Sequence, residues 1–270
     1  AAPAVMCNHA GWIEDVVISH DGHWLATGGR LWDLTVSDPA ANPIVLRGRE
    51  WDIEAVAFSS DSRWLATGSY DGTVRLWDLT APDPAAAPIF LRGHEDRVNA
   101  VVFSPDGHWM ATGSYDDTAR LWNLTVPDLA AAPMVLRGHE GGINAAAVSS
   151  DGHWLVTGGW DNTARLWDLS APDPAAAPIV LRAHTDGILT VAFSPDNCWL
   201  ATGGNDGTIC LWDLSDSDPA AEPAVLRVHE GAIEAVAFSP DNHWLVTASR
   251  LWDLTAYGPA ADPIVLRGHE

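Results

Sequence analysis

The chain has 270 residues, 47% of them hydrophobic, enough for one large domain or two small ones with a sizeable core. Its 36 acidic and 14 basic residues leave a formal charge of −22, which excludes the basic footprint of a nucleic-acid binder and disfavours anionic membrane surfaces. No apolar run approaches the roughly 18 residues of a membrane helix. The N-terminus, Ala1-Ala-Pro-Ala, has no basic stretch leading into an apolar one and no initiating Met, so the chain is expected to be processed or to be a piece of something longer. Cys7, Cys198 and Cys210 form no CxxC pair and are odd in number, which points away from a disulfide framework or a zinc site and towards a reducing, cytoplasmic compartment.

The elements repeat. Leu-Trp-Asp-Leu occurs at 31–34, 76–79, 166–169, 211–214 and 251–254, with Leu121-Trp-Asn-Leu124 as the remaining copy, at a spacing of 45 residues four times and then 40. Leu-Arg-Gly-His-Glu stands intact at 91–95, 136–140 and 266–270. A fixed period of this length defines an array of supersecondary units, here approximately 1–45, 46–90, 91–135, 136–180, 181–225 and 226–270, within one domain. In the third unit, β-branched alternation predicts a strand over Val98–Ser104, then a Pro105-Asp-Gly107 turn. A second strand follows at Trp109–Ser114, a tight turn at Tyr115–Thr118, and a third strand at Ala119–Leu124. The Pro/Ala loop 127–133 is a semi-rigid spacer on the rim, and Met134–Arg137 reads as a short fourth strand. Four short antiparallel strands per unit, without helical periodicity, are the pattern of a propeller blade.

These landmarks (Gly-His, Phe-Ser-Pro-Asp-Gly and Leu-Trp-Asp in phase across the whole chain) resemble the WD-repeat (WD40) family. The resemblance implies an all-β WD-repeat propeller of six four-stranded units. The near-identity of the units is similar to bacterial WD arrays, which are often attached to signalling enzymes. It also implies that the Gly-His histidines at 9, 94, 139, 184, 229 and 269 join buried networks. In the third unit these would be His94, Asp116 or Asp117, Thr112 or Ser114, and Trp122. Arg49 replaces the histidine in the second unit. Such a set looks like a catalytic triad, but its recurrence from unit to unit makes a fold-fixing network the better reading. Twelve of the 15 Trp sit at two repeated places and are expected to pack within and between blades. His23, His108, His153 and His243, one per unit, read as solvated turn residues rather than metal ligands.

Function is expected where the repeats differ. Trp12, Trp51 and Trp160 fall off pattern, and Tyr70, Tyr115 and Asn205 share the hairpin-tip position of Trp160. The third and fifth residues after the histidine position vary: Trp12 and Glu14, Asp52 and Glu54, Arg97 and Asn99, Gly142 and Asn144, Gly187 and Leu189, Ala232 and Glu234. The resemblance implies that both loops open on one face, where partner peptides bind. Aromatics beside carboxylates suit a segment bearing Lys or Arg. The candidate partner-binding set is therefore Trp12, Glu14, Asp52, Glu54, Tyr70, Arg97, Asn99, Tyr115, Asn144, Trp160, Asn205 and Glu234. Within it, Trp12, Glu14, Asp52, Glu54, Tyr70, Tyr115 and Trp160 should form one contiguous arc whose far side, at Gly187, Leu189 and Ala232, is plainer. The plainer alternative is a rim of soluble residues, with Trp12 or Trp160 packed on a neighbouring loop. No catalytic residues, metal or cofactor are expected. The reading is a non-enzymatic scaffold for a basic protein or peptide; a sensor or autoinhibitory domain of a larger signalling NTPase, kinase or protease, and an enzyme using the propeller funnel, are the alternatives.

Two irregularities remain. Pro3–Cys7 and Pro263–Arg267 both resemble fourth strands, giving seven such segments for six sets of the others, so a longer array or a terminal strand pairing with another chain is expected. The first and last units, Thr27-Gly-Gly-Arg-Leu-Trp32 and Thr247-Ala-Ser-Arg-Leu-Trp252, lack five hairpin-tip residues including the network Asp. Either these are true deletions or turn residues are missing from the chain at Gly29–Arg30 and Ser249–Arg250; the sequence favours the latter.

Overall fold

A computed structural model of the chain describes residues 15–46, 53–227, 231–247, 250–255 and 264–265. Pro3–Cys7 lies outside them. Among the described residues, every strand belongs to one of six four-stranded antiparallel sheets, each a meander of consecutive strands. Sheet 1 holds β1–β4 (Val16–Ile18, Trp24–Thr27, Arg30–Asp33, Ile44–Val45). Sheet 2 holds β5–β8 (Ile53–Phe58, Trp64–Ser69, Val74–Asp78, Ile89–Leu91). Sheet 3 holds β9–β12 (Val98–Phe103, Trp109–Ser114, Ala119–Asn123, Met134–Leu136). Sheet 4 holds β13–β16 (Ile143–Val148, Trp154–Gly159, Thr163–Asp168, Ile179–Arg182). Sheet 5 holds β17–β20 (Ile188–Phe193, Trp199–Gly204, Thr208–Asp213, Ala224–Arg227), and sheet 6 holds β21–β24 (Val236–Phe238, Trp244–Thr247, Arg250–Asp253, Ile264–Val265). The strands read from the third unit agree with β9–β12 to within a residue. There is no helix among the described residues. The fold is all-β, built of four-stranded antiparallel sheets of the blade type.

The turns follow from local chemistry. Between the first two strands of sheet 3, the Ser104 hydroxyl donates to Asp106 Oδ1 and accepts the Trp109 N–H, at 2.5 and 2.9 Å. The chain reverses at Gly107, with φ of +72°. Asn197 and Asn242 hold the same left-handed place at +60° and +61°, which Asn tolerates better than most side chains. After the third strand, the aspartate of Leu-Trp-Asp accepts the N–H and hydroxyl two residues on, as Asp78 does from Thr80 at 3.0 and 2.5 Å. Asn123 accepts from Thr125 in the same way through Oδ1, which is why Asn serves there.

The chain divides into two compact units, residues 1–116 with 120–135, and residues 117–119 with 136–270. In the first, Ala26, Leu31 and Leu46 of sheet 1 pack on Ile53, Val56, Phe58, Leu65 and Trp77 of sheet 2. Ala66, Val74, Leu76 and Leu91 of sheet 2 pack on Val98, Phe103, Met110 and Trp122 of sheet 3. In the second, sheet 4 meets sheet 5 and sheet 5 meets sheet 6 in the same manner. Turns also link successive sheets: the Ser60 hydroxyl donates to Pro105 O at 2.8 Å in the first unit, and Ser150 to Pro195 O at 2.9 Å in the second.

The two tryptophan sets differ. Trp32, Trp77, Trp122, Trp167 and Trp212 are among the largest fully buried side chains, whereas Trp24, Trp64, Trp109, Trp154, Trp199 and Trp244 are half-buried. The second set follows directly on an exposed turn, so one ring face stays near solvent; Arg63 covers that of Trp64 at 4.7 Å.

The shortened hairpin of sheet 1 is continuous, contrary to the expectation of missing residues. Thr27 pairs with Arg30 across Gly28 and Gly29, whose φ values are +39° and +82°. Positive φ at both central residues is the two-residue turn that matches strand twist, and glycine supplies it at least cost. The short tip thus carries the turn chemistry that a two-residue hairpin requires. In sheet 6, Thr247 pairs with Arg250 in the same register; residues 248 and 249 lie outside the described residues.

Candidate functional site

The frame of the candidate site is the repeated histidine network. In sheet 3, His94 Nδ1 meets Asp116 Oδ2 at 2.9 Å, and Nε2 meets Thr112 Oγ1 at 2.8 Å. Thr112 Oγ1 also accepts the indole N–H of Trp122 at 3.1 Å. His139, Asp161, Thr157 and Trp167 repeat this in sheet 4, and His184, Asp206, Thr202 and Trp212 in sheet 5. Thr112 and Asp116 are thus the members chosen from the sequence alternatives. Ser114 braces the loop instead, donating to Asp96 O and accepting the Asp116 N–H.

The network aspartates of sheets 4 and 5 are held ionised. Burial works against the charge of Asp206, but hydrogen bonds from Thr208 and the Thr185 N–H, with the charge of His184, bring its pKa down to about 2. Burial opposes the charge of Asp161 likewise, and the His139 hydrogen bond and Glu140 N–H outweigh it, holding the carboxyl well below its usual range. Burial keeps the His94 pKa low against the pull of Asp116. A histidine ring used at both nitrogens, with its threonine fully buried, offers no exposed nucleophile. In sheet 2, where Arg49 lies outside the described residues, the equivalent Asp71 is 47% exposed at the side chain and contacts Arg75 at 3.5 Å; Asp116 is 9% exposed. In sheet 6, which lacks the aspartate, the buried Trp252 indole N–H has no hydrogen-bond partner among the described residues.

The network fixes a hairpin tip, and the tip carries the variable residues. Tyr115, Trp160 and Asn205 each donate a backbone N–H to the third residue after the histidine: Arg97 O at 3.0 Å, Gly142 O at 2.9 Å and Gly187 O at 2.8 Å. The fifth residues stand at β-bulges. Glu54, Asn99, Asn144 and Leu189 are each the extra residue at a register shift in the first strand of sheets 2 to 5. A bulge re-aims its side chain and is over-represented beside functional sites.

Trp12, Glu14 and Asp52 lie outside the described residues. In the first unit the structure brings Tyr70, Arg97 and Tyr115 together: the Arg97 guanidinium carbon is 3.6 Å from the Tyr115 ring centroid and 5.8 Å from that of Tyr70. This departs from the expectation that these rings await a partner's cation, because the chain supplies its own. Glu54 and Asn99 are half-buried at their bulges. In the second unit, Asn144 spends its amide on Ile188 O at 3.1 Å and so links two blades. Trp160, 39% exposed, lies against Gly187, where an added Cβ would fall 2.8 Å from its Cζ3. Gly187 of the next repeat thus lies under a neighbour's ring. Asn205 donates to Asp186 at 2.7 Å, and Glu234 is exposed. Asp96 and Asp186 were missed: both stand second after the histidine, beside the third and fifth positions that were compared.

The turn histidines are solvent-facing; His108 and His153 pair with the aspartates two residues before them. No group of three metal-ligating side chains occurs among the described residues. A cleft of about 400 Å³ lies under the Pro/Ala loop of sheet 1, lined by Trp24, Asp33, Asp38, Asn42 and Ile44 among others. The Asp33 carboxylate there already serves Thr35 and His23. Cys198 and Cys210 are free thiols, and burial, with the charge of Asp206, pushes Cys210 up to about 12.

The WD domain, G-beta repeat family model matches the chain six times, at residues 3–37, 43–78, 88–123, 132–168, 178–213 and 222–257. The chain belongs to the WD-repeat family, whose members act in general as protein-interaction scaffolds. No curated protein matched it.

Proposed function

We propose that this chain is a non-catalytic, cytoplasmic module that binds a protein or peptide segment through its hairpin tips and the loops before the first strands. The observation that carries this reading is a hairpin-tip position whose side chain varies from repeat to repeat: Tyr70 and Tyr115 in the first compact unit, Trp160 and Asn205 in the second, with Tyr70 and Trp160 58% and 39% exposed. Exposed aromatics on a rigid support are the usual anchors of interfaces. The charge of −22, with Glu54 and Glu234 at the fifth position, supports a segment that is basic overall. Free thiols at Cys198 and Cys210 support a reducing compartment. The test is a displayed peptide library selected on the whole chain, with the selected peptides remeasured on Tyr70→Ala and Trp160→Ala. Enrichment of Lys- and Arg-bearing peptides whose affinity falls at least about tenfold in either variant is expected. Peptides that bind both variants unchanged, or a library without enrichment, would overturn the reading.

A further inference from the structure

The side chains at the tip of sheet 3 differ from those on the same frame elsewhere. Tyr115 and Arg97 share the backbone bond that Trp160 shares with Gly142 and Asn205 with Gly187, so only sheet 3 adds a cation to it. The guanidinium is stacked on Tyr115 and flanked by Tyr70. Its support is rigid: Asp96 Oδ1 accepts the Arg97 N–H at 2.7 Å, Ser114 bonds Asp96 O, and Asp116 behind them is fixed by His94. Stacking engages only the face of the guanidinium and leaves its N–H edge, with up to five donors in one plane. Although the chain is rich in acid, no carboxylate among the described residues lies within ion-pair distance of Arg97. Arg75, by comparison, has Asp71 at 3.5 Å, and Arg63 has Asp78 at 3.1 Å.

We propose that Tyr70, Arg97 and Tyr115 form a binding site for a single carboxylate on the partner segment. Arg97 takes it side-on through two N–H groups, and the tyrosine rings hold the guanidinium plane. The proposal deepens the peptide-binding reading of this face and rests on it. A planar monoanion fits better than a phosphate dianion, because Glu95 and Asp96 adjoin the one cation and the whole chain repels dense negative charge. The partner would then be basic overall, with one acidic residue placed to meet Arg97.

The test follows the Arg97 Nε–Hε NMR resonance of the whole ¹⁵N-labelled chain, assigned by its loss in Arg97→Lys. The probes are N-acetylglutamate α-amide, its glutamine counterpart, N-acetylglutamine with a free α-carboxylate, and inorganic phosphate. Saturable shifts with the two carboxylate compounds and none with the neutral amide are expected; whichever carboxylate saturates at lower concentration separates a side chain from a chain terminus as the source. In Tyr70→Ala the half-saturating concentration should rise at least threefold. Equal response to the neutral amide, no saturation, or phosphate saturating at a tenfold lower concentration would overturn the proposal. The two readings fail separately: library peptides whose affinity is indifferent to Arg97→Gln sink the carboxylate site alone, and a saturable Arg97 without peptide binding sinks the peptide-binding module alone.

Discussion

Gly138 is roofed by Arg165: a Cβ added to the glycine would lie 2.7 Å from the guanidinium Nη1, and its φ is +144°. Gly93 lies under Arg120 in the same way. The fifth repeat changes both partners together. Ala183 stands at the glycine position and Cys210 at the arginine position, and the two belong to one packed cluster. Cys210→Arg alone should therefore destabilise the chain by about 1–3 kcal/mol through overpacking, and adding Ala183→Gly should recover about half of that. Urea midpoints of the two singles and the double would check it; strict additivity would contradict it.

Removing the shared hydroxyl of a network should cost more than removing the indole N–H. Thr157→Val strands both His139 Nε2 and the Trp167 N–H, a loss of about 2–4 kcal/mol for two buried polar groups. Trp212→Phe loses the Trp212–Thr202 bond as well as area, whereas Trp252→Phe removes an N–H with no partner among the described residues. The second substitution should be milder by about 1 kcal/mol. Equal losses would contradict the different standing of the two rings.

Acid should weaken the fold in two stages. His94 in the folded chain sits below its ordinary 6.5 because of burial, so below about pH 6.5 the unfolded chain takes up a proton that the folded chain refuses. Stability is then lost as pH falls from that point. Asp161 and Asp206 are held below their ordinary 3.8, the latter at about 2, so their contribution is complete above about pH 4 and is lost as pH falls through about 2. Urea midpoints from pH 8 to 3 should decline, with Asp206→Asn flattening the lower stage. A midpoint that rises between pH 7 and 5 would contradict the first stage.

The two-residue turn at Gly28–Gly29 should accept asparagine and reject branched residues. Gly28→Asn is expected to be nearly neutral, while Gly29→Val should cost about 1–3 kcal/mol from enforced positive φ. Hydrogen exchange at Leu46, whose N–H bonds Gly29 O at 2.9 Å, reports the hairpin directly. Unchanged protection in Gly29→Val would show the turn to be otherwise held.

The blades were legible because their signals are local. The Ser104-Pro-Asp-Gly107 turn, the Asp78–Thr80 cap and strand alternation need only neighbouring residues, and the in-phase repeats confirm one another. Network membership needed the resemblance, and the choice between Thr112 and Ser114 needed coordinates, since both lie near the same loop. The short hairpin was misread because the missing tip outweighed the Gly28-Gly29 signal. The candidate site was only partly legible. Position in the repeat placed Tyr70 and Tyr115 on equivalent hairpin tips and Arg97 in the loop before a first strand, but not the guanidinium against the ring. Asn144 spends its polarity inside the fold, a choice set by the carbonyl of Ile188 in the next repeat and invisible in its own.

The serine-to-carbonyl bonds between turns, Ser60 to Pro105 and Ser150 to Pro195, both span 45 residues, the length of one full unit. Serine stands at this place in the second and fourth units and proline in the third and fifth, so a genetic exchange between misaligned repeats rebuilds the same donor and the same acceptor when it adds or removes two units together. Array length is therefore open to change by recombination in two-unit steps at little energetic cost per junction, while a one-unit step sets serine against serine or leaves a proline without a hydroxyl to donate.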